Sequence, residues 1–282
     1  MAILDRIRLM RVWRRLLAAG VAVAALQAAP PTSAAAAPFG ALVVFGDSLS
    51  DSGNAGRYTD GPVWVEVLAA QLGVELRPAR VGGTNFAVGG ARSHGRPTDI
   101  RGQLHAFLTD HPGPPDAATL FIVYGGANDL LAAGCSGEET AARTAAAAIA
   151  ATAGDLATAG ATAILVPNLP DLGAAPIVRL QGADCARRAR QMTRVFNAAL
   201  EQQLRRVERR SGVRIVRVDA YAMAEEILAN PGRAGFTDVR TPCQPGSCDG
   251  FLFWDQLHPT TQAHARMAAV ALQALDGPGA AK

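Results

Sequence analysis

Two segments near opposite ends of the chain hold residues whose types and spacing could activate a serine. Ser48 follows an apolar run, Val43 to Phe45, that has the pattern of a buried strand ending in a turn. Asp255 and His258 lie three positions apart, so both side chains could face one nucleophile. A serine hydroxyl attacks poorly unless a histidine takes its proton and a carboxylate orients the imidazolium that forms. The sequence therefore predicts Ser48 as the nucleophile, His258 as the general base and Asp255 as its partner.

The elements that must position these residues alternate along the chain, which indicates parallel strands with helices on both faces. Strands are predicted at 41–45, 120–124, 163–166 and 213–218, with a shorter candidate at 74–76. Helices are predicted at 63–72, 140–159, 186–210 and 261–275. Sites in such sheets lie at the carboxyl ends of the strands. Ser48 and Asn128 each follow one of these strands, so we expect them to meet at one edge of the sheet.

Four separated motifs resemble those of the GDSL family of lipases and esterases, the SGNH hydrolases. They occur in the family's order between about Leu42 and Ala271, and they are Gly46-Asp47-Ser48-Leu49, the segments 83–91 and 124–129, and Asp255-x-x-His258. The first motif lacks the final glycine of the Gly-x-Ser-x-Gly turn, which excludes the α/β-hydrolases. The resemblance implies a three-layer α/β/α, flavodoxin-like fold with a central parallel sheet. It also implies ester hydrolysis through a Ser-His-Asp triad and an acyl-enzyme, without a metal or other cofactor.

The resemblance further implies three donors for the oxyanion of the tetrahedral intermediate. These are the backbone N–H of Ser48, the backbone N–H of a glycine in the second motif and the side-chain amide of Asn128. The spacing from Asn85 favours Gly90, and the adjacent Gly89 remains the alternative. We expect Asp47, Asp51 and Asn54 to brace the turn around the serine, because short polar side chains bond to nearby backbone.

The first 37 residues have the pattern of a secretory signal peptide: five arginines, the apolar run 16–26, then small residues at 34–37. This leader holds five of the chain's 27 Lys and Arg and one of its 24 Asp and Glu, so residues 38–282 carry a net charge of −1. The basic surplus that might suggest a nucleic-acid partner therefore disappears. The apolar run is shorter than the roughly 20 residues of a spanning helix. We expect cleavage, one hydrolase domain at 38–282 and no stable membrane anchor, with a retained anchor as the alternative.

The four cysteines are even in number and would form disulfides in an oxidising compartment, which favours a periplasmic or extracellular location. The tight loop between Cys243 and Cys248 favours their pairing and leaves Cys135 for Cys185. A zinc site is the alternative, although the spacings are irregular and no histidine joins them in a known pattern.

The expected partner is a small-molecule or lipid ester, and the sequence holds no phosphate loop, dinucleotide motif or basic aromatic patch for nucleic acid. Phe251 to Asp255 looks most like the secreted bacterial branch of the family. Tyr58, Trp64 and Trp254 are candidates for an acyl or alcohol pocket, although aromatic residues are more often core. An acyltransferase that uses the same acyl-enzyme, a carbohydrate O-deacetylase and an inactive binding domain remain alternatives.

Overall fold

A four-stranded parallel sheet in the order β1-β2-β3-β4 lies at the centre of the computed structural model, which describes residues 39–244 and 246–277. Its strands are β1 Ala41–Gly46, β2 Thr119–Tyr124, β3 Ala163–Pro167 and β4 Arg214–Val218, and a separate two-stranded sheet pairs β5 Asp238–Pro242 with β6 Phe251–Phe253. Every residue of β2 and β3 is buried. Burial of both faces explains why these strands are continuous apolar runs without alternation.

Helices cover the sheet. Their bounds are α1 Trp64–Leu72, α2 Ile100–Asp110, α3 Ala127–Ala133, α4 Glu139–Thr158, α5 Pro176–Arg179, α6 Ala183–Ser211, α7 Ala220–Ala229, α8 Pro231–Ala234 and α9 Thr261–Asp276. Helix α1 packs against α9, and α4 packs against α6. The alanine-rich α4 can lie close to its neighbours because its buried face consists mostly of Ala side chains. This arrangement is the predicted α/β fold with a parallel central sheet between helices.

The main strands and the four predicted helices, now α1, α4, α6 and α9, agree with the sequence prediction, but the short strand predicted at 74–76 is wrong. Residues 84–88 occupy the free edge of β1 instead, since the N–H of Val44 donates to the carbonyl of Thr84 and the N–H of Phe86 donates to that of Val44. Val74 and Leu76 pack at the border of the core without joining the sheet. Their apolar character serves packing, and it produced a false strand signal.

Both disulfides have the favoured pairing, Cys135–Cys185 and Cys243–Cys248. Because all four cysteines are in disulfides, none has a thiolate to bind zinc, and the zinc alternative is wrong. No helix within residues 39–244 and 246–277 combines the length and the apolarity needed to cross a membrane. The signal-peptide prediction for residues 1–37 lies outside the described residues.

Candidate active site

The turn that carries Ser48 begins where β1 ends. Gln103 on α2 caps the strand end, because its amide donates to the carbonyl of Gly46 and its Oε1 accepts from the N–H of the same residue, both at 2.8 Å. The carbonyl of Asp47 then accepts from the N–H groups of Ser50 and Asp51 at 3.0 Å, which closes one tight turn. Ser48 sits in this turn with its side chain largely buried.

A second loop, between β6 and α9, holds Asp255 and His258. Oδ1 of Asp255 accepts from the N–H groups of Leu257 and His258 at 2.7 and 2.6 Å, and the N–H of Trp254 donates to the carbonyl of His258. Burial alone would raise the pKa of Asp255, but hydrogen bonds from the His258 ring and from these two N–H groups outweigh it and lower that pKa. The carboxylate therefore stays ionised beside the imidazole.

The two loops bring Ser48, His258 and Asp255 into one hydrogen-bonded chain. Nδ1 of His258 lies 2.8 Å from Oδ2 of Asp255, and Nε2 lies 2.9 Å from Oγ of Ser48. An ionised carboxylate only accepts, so Nδ1 carries the ring proton and Nε2 is left to accept from the serine hydroxyl. This geometry allows proton transfer from the hydroxyl to the ring.

Gly89 and Gly90 differ in what their N–H groups do. The N–H of Gly89 donates to Oδ2 of Asp51 at 2.8 Å, and a Cβ at Gly89 would collide with the Tyr58 ring. The N–H of Gly90 has no acceptor among the described residues, and its φ of 75° lies in the left-handed region that favours glycine. The geometry therefore favours Gly90, and not Gly89, as a free donor.

Asn128 lies in the first turn of α3 and faces the loop that carries the two glycines. Its Nδ2 donates to the carbonyl of Ala91 at 2.9 Å, which fixes the amide orientation and uses one of its two N–H bonds. The second N–H remains for another acceptor. The amide lines the same cavity as Ser48 and His258.

Asp51 and Asn54 bond to the backbone around the nucleophile turn, as expected from the sequence, and Asn85 adds bonds that were not expected. Asp51 accepts from the N–H groups of Gly53, Asn54 and Ala55 as well as that of Gly89. Nδ2 of Asn54 donates to the carbonyls of Asn85 and Ala87 at 2.7 and 2.8 Å. Nδ2 of Asn85 returns a 2.8 Å bond to the carbonyl of Ser50. The first and second motifs are thus tied together by reciprocal amide bonds.

Asp47 is the least stabilised carboxylate of the site. It is buried, and one hydrogen bond from the N–H of Leu49 at 3.1 Å reaches its side chain. Burial raises the pKa of Asp47 to about 6, because desolvation disfavours the charged form and the neighbouring Asp129 adds repulsion. Asp47 therefore changes charge in a pH range where Asp255, whose pKa is lowered, stays ionised.

An apolar cavity with about 130 Å³ of water-accessible volume opens beside Ser48 and His258. Its walls come from the β3–α5 connection, α7, β6 and α9, and the large aliphatic residues and the phenylalanine among its lining are Leu49, Leu131, Leu172, Met223, Ile227, Leu228, Leu252, Phe253, Leu257 and Met267. Of the three aromatic candidates, Trp64 lines the cavity and Trp254 is not among the lining residues. Tyr58 packs on the His258 ring, with 5.1 Å between ring centres.

His264 on α9 also lines this cavity, and the sequence offered no partner at a spacing that would assign it a role. Its Nδ1 accepts from the N–H of Trp64 at 3.2 Å, so the ring proton lies on Nε2, which has no partner within the described part of the chain. Burial lowers the pKa of His264 to about 3, and the nearby His258 adds to this effect. The ring is therefore neutral. Its position one helical turn after Thr260, the N-cap of α9, could have indicated that it faces the core.

No cluster of three or more His, Cys, Asp or Glu side chains in residues 39–244 and 246–277 is arranged to hold a metal ion. The chemistry that the site offers is nucleophilic attack by an activated serine beside preorganised N–H donors.

Known proteins resemble this chain in sequence and in fold. The model of the GDSL-like Lipase/Acylhydrolase family matches residues 42–271. Lipase 1 of Photorhabdus luminescens is 28% identical over 84% of this chain, although the match spans only 50% of that protein. A phosphatidylcholine-sterol acyltransferase of Aeromonas hydrophila is 27% identical, with 82% of this chain and 88% of the acyltransferase covered.

A solved structure gives the same fold. The lipolytic protein of the G-D-S-L family from Veillonella parvula superposes with a TM-score of 0.51 at 16% identity, and the match covers 84% of this chain and 99% of the other.

Proposed function

This chain belongs to the GDSL-like lipase/acylhydrolase family, a class of carboxylic ester hydrolases, and on that premise we propose that it is an exported serine esterase that cleaves esters of long acyl chains. The observation that carries the proposal is the continuous hydrogen-bonded chain from Oγ of Ser48 through the His258 ring to Asp255, with separations of 2.9 and 2.8 Å. The predicted nucleophile, base and carboxylate all lie in this series of hydrogen bonds, which supports the proposal.

In the proposed reaction, Oγ of Ser48 attacks the ester carbonyl while Nε2 of His258 takes its proton. The oxyanion that forms accepts hydrogen bonds from the N–H groups of Ser48 and Gly90 and from the Asn128 amide. His258 returns the proton to the leaving alcohol, and an acyl-enzyme remains on Ser48. Water then attacks the acyl-enzyme with His258 again as base, which releases the acid and restores the serine.

The apolar cavity supports a long acyl chain as the substrate group. Its walls consist mostly of large apolar side chains, as in small-molecule sites that hold hydrophobic groups. Each buried CH₂ contributes about 0.8 kcal/mol to the binding free energy. Two further carbons in the acyl chain should therefore raise the binding affinity on the order of tenfold until the cavity is full. An acetyl group has no chain to place there, which argues against the carbohydrate deacetylase.

The test combines active-site labelling with a chain-length series. A fluorophosphonate should label the wild type and leave Ser48→Ala unlabelled, because the reagent traps an activated serine hydroxyl. Aryl esters of increasing acyl length should show kcat/KM rising from acetyl to long chains. Labelling of Ser48→Ala at the wild-type rate would remove Ser48 as the nucleophile. A preference for acetyl esters would remove the long-chain proposal and leave the nucleophile assignment standing.

Acyl transfer is the second candidate, favoured by the match that covers 88% of the Aeromonas acyltransferase. An alcohol would then take the place of water in attacking the acyl-enzyme. Product analysis in the presence of a sterol separates the two reactions, since transfer yields a sterol ester and hydrolysis yields free acid.

Export is supported by the leader pattern of residues 1–37 and by the two disulfides, which persist in oxidising compartments. We expect intact mass of the exported protein to place its first residue within a few positions of Pro38. Full-length protein in a membrane fraction would indicate a retained anchor.

A further inference from the structure

An exposed apolar pair borders the cavity that holds Ser48. Three large apolar side chains are exposed in the described part of the chain: Val81 at 51%, Ile177 at 42% and Leu180 at 76%. Ile177 and Leu180 lie three positions apart on the single turn of α5, and Leu180 keeps helical backbone angles at its end. Residues at this spacing are neighbours on one helix face. Two of the three exposed apolar side chains therefore form one patch.

This patch is coupled to the catalytic loop by the backbone. The N–H of Ile177 donates to the carbonyl of Gln256 at 2.8 Å, and Gln256 lies between Asp255 and His258. The two residues before α5, Ala174 and Ala175, line the acyl cavity. Ile177 thus lies next to the wall of the cavity that holds the serine, and Leu180 lies one helical turn further from it along the chain.

Several arginines lie in and next to the segment that carries Ile177 and Leu180. The segment 176–194 contains five arginines and one acidic residue, whereas residues 38–282 together carry a net charge of −1. Four arginines line a groove that shares Ala174 and Leu228 with the acyl cavity; they are Arg179, Arg187, Arg190 and Arg240. The positive charge is therefore concentrated beside the apolar patch.

The acidic groups that face these arginines neutralise two of the four. Arg190 is 2.6 Å from the buried Asp171, and Arg187 pairs with Asp184. Arg179 instead donates to the backbone carbonyl of Arg240 at 2.9 Å. The nearby Asp238 is occupied by Thr241, whose Oγ1 donates to it at 2.6 Å. Arg179 and Arg240 thus form no salt bridge within the described residues, although Arg179 lies close enough to Asp238 for its charge to help the Thr241 hydrogen bond lower the pKa of that carboxylate.

We propose that Ile177, Leu180, Arg179 and Arg240 form a docking surface for an anionic phospholipid layer. Two apolar side chains enter the acyl region of the lipid while the flanking guanidinium groups meet the phosphates, which is the pattern of interfacial anchors. Docking places the mouth of the acyl cavity against the layer in which long-chain esters reside. The benefit of bringing the cavity mouth to the lipid layer rests on the proposed esterase function. Binding of the surface to the layer does not depend on catalysis.

A second copy of the chain fits this surface less well. A two-fold dimer through the patch would set the same residues of both copies against each other. The arginines of one copy would then face those of the other, and like charges at an interface are unfavourable. An anionic lipid layer has the complementary charge.

The test measures vesicle binding in a Ser48→Ala background, so that hydrolysis neither consumes the lipid nor affects the result. Vesicles of phosphatidylcholine with phosphatidylglycerol are compared with vesicles of phosphatidylcholine alone. Ile177→Ser with Leu180→Ser should weaken binding to the mixed vesicles about tenfold or more, because two apolar side chains no longer enter the acyl region. Arg179→Gln with Arg240→Gln should weaken it on the order of tenfold, and only where the anionic lipid is present.

Two matched controls use the same residue types elsewhere. Val81→Ser removes the third exposed apolar side chain, and Arg209→Gln with Arg210→Gln removes two exposed charges at the other end of α6. Both should bind like the parent. To check folding, each variant is also made in the protein that retains Ser48, and its activity on a water-soluble butyrate ester is measured. This activity should be unchanged.

Unchanged vesicle binding by the Ile177/Leu180 variant, or equal loss in the controls, overturns the docking proposal. A change in oligomeric state in place of vesicle binding would assign the patch to a second copy and also overturn it. Normal docking with no hydrolysis of any ester would retain the docking surface and refute the proposed function.

Discussion

At the residue scale, Asn128 tests whether the site stabilises an oxyanion. The side chain has one fixed bond, to the carbonyl of Ala91, and one remaining N–H bond beside the cavity of Ser48. A donor that meets charge only in the tetrahedral state raises kcat without improving ground-state binding.

We therefore expect Asn128→Ala to lower kcat by about 10²–10³, or roughly 2.7–4 kcal/mol, with little change in KM. Asn197→Ala is the matched control, because that amide holds the backbone of Leu169 from outside the cavity. The control should lower the melting temperature and keep kcat. Steady-state kinetics and thermal unfolding of both variants check the prediction, and a normal kcat in a destabilised Asn128→Ala would contradict it.

Asp47 gives a pH-dependent prediction. Its pKa is about 6 in the folded protein against the ordinary 3.8, so between these pH values the folded state holds a proton that the unfolded state releases. Stability therefore falls as pH rises from about 4 to about 6 and stays lower above that range. The shift corresponds to about 3 kcal/mol at 1.36 kcal/mol per pKa unit.

Asp47→Asn keeps an oxygen for the N–H of Leu49 and removes the buried charge. We expect it to raise the melting temperature at pH 8 relative to the parent and to have little effect at pH 4. The protonation of His264 occurs in both proteins and cancels from the comparison. An equal change in melting temperature at both pH values would contradict the assigned ionisation.

The sequence was sufficient to propose Ser48, Asp255, His258 and Asn128, because each lies in a short motif with a recognisable chemical role. It did not decide whether Gly89 or Gly90 donates to the oxyanion, since the choice depends on which of the two N–H groups already donates to Asp51. His264 was missed because a lone histidine has no signal until its surroundings are known.

At the element scale, α7 and the connection before α5 line the cavity beside Ser48. α7 provides Met223, Ala224 and Ile227, and the connection provides Ala174 and Ala175. The sequence analysis did not predict α7, and it did not predict α5 and α8, which are single turns of four residues and too short to show a helical period. A start signal existed for α7, where Asp219 accepts from the N–H of Ala222 as an N-cap.

Ala224→Phe should narrow the acyl cavity from the α7 side. We expect kcat/KM for long-chain esters to fall about tenfold or more, while that for acetyl and butyryl esters stays within about twofold, because only long chains use the displaced volume. Ala222→Phe, on the exposed side of the same helix, is the control. Equal losses for short and long esters in Ala224→Phe would show that the cavity does not bind the acyl chain.

At the scale of the whole molecule, the two disulfides constrain different lengths of chain. Cys135–Cys185 closes a loop with a sequence separation of 50, and Cys243–Cys248 one with a separation of 5. The shorter bridge stands next to the catalytic loop, because the N–H of Cys243 and that of Gln244 donate to the carbonyls of Phe253 and Trp254.

Loop-closure entropy predicts that the longer bridge contributes more stability, about 4 kcal/mol against about 2 kcal/mol. We expect Cys135→Ala with Cys185→Ala to lower the melting temperature more than Cys243→Ala with Cys248→Ala. The second pair should instead have the larger effect on kcat, since it borders the loop of Asp255 and His258. Thermal unfolding and kinetics check both statements, and the reverse order of stability losses would contradict the first.

The hydrogen bond between Ser48 and His258 joins residues 210 positions apart, and this distance has a consequence during synthesis. At about 5–20 residues per second, the serine emerges roughly 10–40 seconds before its base. Throughout this interval the hydroxyl has no proton acceptor and the α9 wall of the cavity does not yet exist. On the proposed mechanism, the growing chain therefore cannot form an acyl-enzyme until the segment that carries His258 has been made.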